Sequence, residues 1–312
     1  LNEANLDDNF HLARKKYFLE LRARLIQNIR QYFINYNYLE VETPLRIPAP
    51  APEEHIEAFP SADWFLQTSP ELCMKRLLAA GYGNIFQISH CFRQGERGKK
   101  HLPEFTMLEW YTLESDYFGL MNQCQDMLCA VFRETGYKHQ ILFQNKKIDM
   151  SPPWEKITVI DAFARFAHTD CESAIAADKF DEILVEKIEP CLGVERPVFL
   201  YDYPAKYAAL ARTKKDDPQI AERFELYIGS LEIANGFSEL TRAAEQRKRF
   251  GDAQKARAAK NWLLYPLPEK FLSELEKMPA AAGIALGIDR LVMLLADTQC
   301  IDDVVAFTPE TL

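Results

Sequence analysis

Two alternating runs, residues 85–93 and 104–111, limit the fold of this chain more than any other feature. Each has the period of two that a β-strand imposes, and a short basic loop containing Gly95 and Gly98 joins them, so a long antiparallel hairpin is predicted. Parity then assigns faces. Phe105, Met107, Glu109 and Tyr111 share one side of the second strand; Gln87, Ser89, Cys91 and Arg93 share one side of the first. An acid and a phenol therefore stand beside a polar stripe on strands that otherwise read as core. For the hairpin alone, a solvent-facing side is an equally good reading.

The rest of the chain supplies neighbours for that hairpin. Residues 15–36 carry Phe18, Leu21, Leu25, Ile29, Phe33 and Tyr36 at three- and four-residue spacing, the buried stripe of an amphipathic helix. Residues 39–43 alternate as a short strand and stop at Pro44. A proline-rich loop over 48–52 and a brief strand over 64–67 follow. Thr68-Ser69-Pro70-Glu71 then opens a helix that closes near Gly81 and Gly83. Further helices are predicted over 116–133, 241–260 and 271–277, mixed helix and loop over 152–194, and strands at 198–201, 222–239 and 283–287. No repeat or linker interrupts this order. A single domain over 1–312 is expected, α+β, with a mainly antiparallel sheet flanked by helices.

Composition narrows the function classes. The 312 residues, 48% hydrophobic, are enough for an enzyme-sized core. The most apolar run, 279–288, stops at Asp289-Arg290, well short of a membrane span. Residues 1–8 hold acids and no base, unlike a secretory leader, so a cytoplasmic protein without membrane contact is expected. The seven cysteines form no Cys-x-x-Cys pair and read as reduced thiols. A net charge of −9 disfavours broad binding to a phosphate backbone; the densest basic stretch, 93–100, is one loop.

Two further constellations carry chemistry. Glu225, Glu232 and Glu239 recur every seven residues. A two-residue turn at Asn235-Gly236 would set Glu232 directly opposite Glu239. Two such carboxylates repel by up to roughly 4 kcal/mol at short range, which favours a cation between them. Joint use of Glu225 and Glu232 needs a strand irregularity, for which Gly229 is the expected bulge. A solvated acidic edge is the plainer alternative. The second constellation is Gly283-Ile-Ala285-Leu-Gly287-Ile-Asp-Arg290, a small-residue strand that lets a ligand approach, with an arginine beyond it able to pair with phosphate.

Taken together and in this order, the segments resemble the three signature motifs of class II aminoacyl-tRNA synthetases, closest to the lysine branch. Leu39-Glu-Val-Glu-Thr-Pro44 resembles motif 1, Phe92-Arg93 with 101–111 resembles motif 2, and Ala285-Leu-Gly-Ile-Asp-Arg290 resembles motif 3. The resemblance spans 15–307 and implies the class II catalytic fold and a homodimer. It does not include the anticodon-reading N-terminal barrel of that branch, which is the pattern of the synthetase paralogues that ligate (R)-β-lysine or lysine to a lysine of elongation factor P. An ATP-dependent, AMP-forming ligase acting on that factor, with no tRNA partner, is therefore expected. A small tRNA-charging enzyme, and an inactive paralogue acting as an interaction module, are the alternatives.

The resemblance also implies roles. Arg93 and Arg290 would act on the ATP phosphates as catalytic residues. Gln94, Gly95, Glu96, Lys100, His101, Phe105, Glu232, Ile233 and Gly287 would complete the nucleotide site. Glu225 and Glu232 would carry Mg2+. Ser69, Pro70, Glu71, Glu109, Tyr111, Asn235, Glu239 and Ala285 would hold the amino acid, with Ala285 standing where lysyl enzymes carry glycine. The sequence departs from the family in motif 2: the adenine-reading acid falls at Gly95, with Glu96 next, and the usual asparagine is Leu102.

Overall fold

Burial of one helical stripe organises the back of the molecule. The computed structural model describes Ala4–Leu312, with side chains from Leu12 onward, so the first residues of the 1–8 stretch lie outside the described region. The first helix, α1 (Ala4–Asn35), buries Leu21, Leu25, Ile29 and Phe33 at a spacing of four. Phe33 stacks on Phe86 at 4.7 Å and tilts against Trp110 at 5.2 Å. Tyr36 lies beyond the helix and is exposed, so the predicted stripe ends at Phe33. Asn37 there turns the chain with a φ of 59°.

The remaining helices are α2 (Glu71–Ala79), α3 (Tyr117–Glu134), α4 (Val159–Ala162), α5 (Cys171–Ala176), α6 (Phe180–Ile183), α7 (Ala243–Ala259), α8 (Glu269–Glu274) and α9 (Ile288–Leu295). The strands begin with β1 (Leu39–Glu40), β2 (Arg46–Ile47), β3 (Pro60–Ser61), β4 (Trp64–Leu66), β5 (Ile85–Phe92) and β6 (Glu104–Leu113). They continue with β7 (Gln140–Phe143), β8 (Lys146–Asp149), β9 (Glu155–Thr158), β10 (Val198–Pro204), β11 (Ile220–Ile228), β12 (Leu231–Ser238) and β13 (Ala281–Gly287).

Eight strands form the main sheet in the order β1-β5-β6-β13-β12-β11-β10-β9. Only the edge pairs β1/β5 and β10/β9 are parallel. The predicted hairpin is present, with Phe92 opposite Glu104 and Ile85 opposite Tyr111. The fold class is therefore the expected α+β one. Leu108, Trp110, Ile284, Leu286 and Ala234 point to the face covered by α1, α3 and α9, where the largest hydrophobic cluster lies. Residues of the opposite parity face a cavity bounded by α2 and α7.

The sequence expectation fails at one turn. Asn235 and Gly236 do not form a hairpin turn; they lie inside β12, opposite Ala285 and Ile284 of β13. The turn between β11 and β12 falls at Gly229 and Ser230, both with φ near 60°. Gly236 serves a different need: a Cβ there would come within 2.7 Å of Phe224 and 2.9 Å of Ile284. Glu232 consequently pairs with Tyr227, and Glu239 lies past the strand end, so the predicted Glu232–Glu239 opposition does not occur. The required irregularity does exist, at Ile233 instead of Gly229. Leu226 pairs with Ala234 and Tyr227 with Glu232, leaving Ile233 as the extra residue. That bulge returns Glu232 to the face of Glu225 and Asn235.

Candidate active site

Antiparallel pairing aligns same-face residues from five strands. Gln87, Glu109, Ala285, Asn235 and Glu225 form one row across β5, β6, β13, β12 and β11. Tyr111, Gly283, Phe237 and Arg223 form the next. Above the rows is a cavity of about 1030 Å³. It is lined by Ser69, Glu71, Arg93, Glu96, Lys100, His101, Phe105, Glu109, Tyr111, Glu232, Asn235, Ala285, Gly287 and Arg290 among the predicted residues. Pro70, Gln94, Gly95, Glu225, Ile233 and Glu239 do not reach its wall. Gly95 shapes the loop through its φ of 82°, while Gln94 donates its backbone N–H to Glu57 at 2.7 Å.

Acids gather at one end. Glu109 is buried and accepts hydrogen bonds from Tyr111 at 2.5 Å and Ser69 at 2.7 Å. Ser69 also accepts the backbone N–H of Glu71 at 3.1 Å, so the helix start doubles as part of the site. Burial, reinforced by the charge of Glu71, pushes the Glu109 carboxyl up to about 7. Glu239 is fully enclosed beneath the wall, and burial outweighs the opposing pull of Lys75, raising it to about 8. A Cβ on Gly283 would lie 2.4 Å from both Glu239 Oε1 and the Tyr111 ring, so glycine is required between them. Glu53, from the proline-rich loop, also lines the cavity and is raised to about 7 by burial and then by Glu71.

Basic groups gather at the other end. Arg93 follows β5, with its guanidinium 5.1 Å from the Phe105 ring centre and 3.7 Å from Glu96. Its Nε is buried without a partner. Arg290, at the start of α9, donates to the Glu232 carbonyl at 2.8 Å and carboxylate at 3.1 Å and meets His101 Nε2 at 2.6 Å. Burial, then the Arg290 charge, lowers the His101 pKa, favouring a neutral ring that accepts from Arg290. Asp289 ties the strand to the helix. It accepts the Thr106 N–H at 2.7 Å and Arg22 at 2.6 Å.

A magnesium ion fits only half of the expected pair. Glu232 is partly exposed and lines the cavity, with Arg290 as its partner. Glu225 is buried, and both of its oxygens are engaged by Arg223 at 2.6 Å, Tyr203 at 2.6 Å and Tyr227 at 2.7 Å. Its acceptor oxygens are therefore occupied inside the sheet. Among the described residues, no group of three or more His, Cys, Asp or Glu is placed to hold a metal unaided. Glu225 instead anchors Arg223, whose Nε lies 3.3 Å from Asn235 Oδ1.

Several residues of the site escaped the sequence reading. Lys75 had a usable signal, since it stands four residues after Glu71 on α2 and so shares its helix face. Arg223 had another, two residues before Glu225 on one strand. Glu53, Tyr203 and Tyr227 had none, because only docking of distant segments brings them in.

Comparison with known proteins agrees with this geometry. The family description "tRNA synthetases class II (D, K and N)" matches residues 9–311. A protein of Proteus mirabilis (strain HI4320) is 38% identical over 302 residues, covering 92% of this chain and 93% of its own. One from Sodalis glossinidius (strain morsitans) is 39% identical over 308 residues, covering 93% and 94%. Both carry the name "Elongation factor P--(R)-beta-lysine ligase".

Proposed function

Because this chain belongs to the class II tRNA synthetase family, we propose that it is an ATP-dependent ligase that activates (R)-β-lysine and transfers it to a lysine side chain of elongation factor P. The observation that carries this reading is one cavity with carboxylates Glu71 and Glu109 at one end and guanidiniums Arg93 and Arg290 at the other. The names of the two similar proteins support the acceptor and the amino acid.

In the first step a substrate carboxylate oxygen attacks the α-phosphorus of ATP. The bond to the bridging oxygen breaks, and pyrophosphate departs with its electron pair. Arg93 acts where charge builds at the α-phosphate, and Arg290, released from Glu232, takes the departing end. Phe105, already packed under Arg93, offers its ring to adenine. Glu232 would then carry magnesium, which when bound neutralises the phosphates. Glu71, Ser69, Glu109 and Tyr111 receive substrate ammonium groups, and Asn235, steadied by Arg223, orients the carboxylate. In the second step the neutral amine of the acceptor lysine attacks the adenylate carbonyl. AMP leaves as the C–O bond breaks, and the new amide nitrogen sheds its proton.

The protein acts as a homodimer in this reading. Ile34, Tyr36, Leu39 and Leu45, grouped around the end of α1 and β1, are all exposed apolar side chains suited to cover by a second copy. A sedimenting mass of one chain would count against that. The decisive assay measures pyrophosphate exchange into ATP dependent on (R)-β-lysine, together with the intact mass of elongation factor P after reaction. A gain of one β-lysyl residue is expected. Label appearing on tRNA alone, or no exchange with (R)-β-lysine or lysine, would overturn the proposal.

A further inference from the structure

An ammonium that belongs to the protein lies within the acid-lined end. Lys75 projects from α2, is 1% exposed, and places Nζ 2.5 Å from Glu71 Oε1 and 2.5 Å from Glu239 Oε2. Its Nζ also lies 5.0 Å from the Phe237 ring centre. One cation thus bridges a carboxylate on the cavity wall and a carboxylate sealed beneath it. Neither Glu239 oxygen makes a regular hydrogen bond although both are enclosed: Oε2 has only its ion pair with Lys75, and Oε1 is wedged between Gly283 and the Tyr111 ring. An unpaired buried carboxylate oxygen is costly, so the charge of Lys75 is the compensation that this enclosed carboxylate depends on.

Charge arithmetic gives Lys75 a function. Glu71, Glu109 and Glu239 supply three negative charges when ionised, and Lys75 cancels one. Two remain, the number of ammonium groups on a lysine-like diamino acid. The other charged groups near this cluster are Glu53 on its loop, facing Arg93 and Arg223, and Tyr111 on β6. Arg93 offsets Glu53 and Arg223 is paired with Glu225 at 2.6 Å, and the phenol of Tyr111 is kept neutral by its surroundings.

We infer that Lys75 is a positioning residue for substrate selection: its ammonium fixes Glu71 and Glu239 relative to each other and leaves the site two charges short of neutrality. A structural lysine would normally send its ammonium to solvent, because burying a charge among acids helps only when their geometry is held. Here the held geometry is that of Glu71 on the cavity wall and Glu239 beneath it. Lys75 never contacts the reacting atoms. It acts through Glu71 and Glu239, so its loss raises KM for the diamino acid and spares the chemical step at saturation.

The inference rests on the proposed use of a diamino acid, and the test separates the two. Pyrophosphate exchange with (R)-β-lysine is measured for the wild type, Lys75→Met and Lys75→Ala. Lys75→Met, close in volume but uncharged, should raise KM for (R)-β-lysine about tenfold or more while kcat and the KM for ATP stay within about twofold. Lys75→Ala should be rescued by propylammonium chloride and not by 1-propanol, since the missing element is a charge and not a packed chain. An unaltered KM in Lys75→Met, or equal rescue by the alcohol, overturns the inference while leaving the proposed function standing. A wild type that uses neither (R)-β-lysine nor lysine overturns both.

Discussion

The two ends of the cavity handle charge in opposite ways. At the acid-lined end, partners are built in: Glu109 is held by Ser69 and Tyr111, and Glu71 and Glu239 share Lys75. At the basic end, partners are provisional: Arg290 rests on Glu232 and His101, and Arg93 on Glu96, all within reach of the cavity. Preorganised acids discriminate, because a ligand lacking one ammonium leaves a desolvated carboxylate unpaired. Provisional pairs keep cations dissolved within the site until phosphate replaces the carboxylates. Under the proposed function, selectivity belongs to the first end and rate to the second.

Removing Arg93 should break this division most strongly. Arg93→Ala is expected to lower kcat for pyrophosphate exchange by about 10³-fold or more, because charge developing at the α-phosphate loses its nearest guanidinium. KM for the amino acid should change little. A variant that instead lost only amino-acid affinity would show that the two ends are not separable.

Gly283→Ala attacks the other end alone. The added methyl would meet Glu239 Oε1 and the Tyr111 ring at 2.4 Å, and both are enclosed, so neither can retreat cheaply. Overpacking of this kind costs about 1–3 kcal/mol, equivalent to roughly 5- to 150-fold in kcat/KM for the amino acid. The KM for ATP is the internal control. A similar loss in both constants would assign Gly283 to general stability.

Acidity offers a graded test of the same contrast. Glu109 and Glu239 have carboxyls raised to about 7 and about 8. Below these values each is protonated in the free protein: an ammonium must displace the proton of Glu109 to bind, and Glu239, beneath the wall, must lose its own to pair with Lys75. KM for the diamino acid should thus rise as pH falls from about 8 to about 6, approaching tenfold per unit for each proton displaced. Above about 8 it should level off. Steady-state kinetics at saturating ATP would expose a flat profile, which would mean that Glu109 receives no ammonium and that the Glu239–Lys75 pair does not set the site.

What could be read from the chain follows the same divide between local and distant. The β5/β6 hairpin was legible because parity acts within each strand, and so were the faces of Glu109, Tyr111 and Arg93. The turn after β11 was not. Asn235-Gly236 is a strong local turn signal, yet β12 is pinned between β11 and β13 and Gly236 is needed for close packing on Phe224. Tertiary contact overrode the dipeptide. Glu239 was likewise expected beside Glu232, whereas its working partner, Lys75, comes from a helix far away in sequence. The engagement of Glu225 within the sheet depends on Tyr203 and Tyr227, which no local pattern connects to it.

Ala285 sharpens the comparison by the smallest step. In the sheet it sits directly between Glu109 and Asn235, the residues proposed to receive an ammonium and the carboxylate of the substrate. Ala285→Gly deletes one methyl without removing any charge or hydrogen-bonding group. The acid end keeps its partners, and the basic end is untouched. The only expected consequence is a change in how closely the substrate's first carbons can approach the strand, a difference of about 1–3 kcal/mol at most. Measured as the ratio of kcat/KM for (R)-β-lysine to that for lysine, the preference should move about tenfold toward lysine. An unchanged ratio would place isomer selection with Glu71 and Lys75 instead, because those residues fix the first ammonium site independently of the strand.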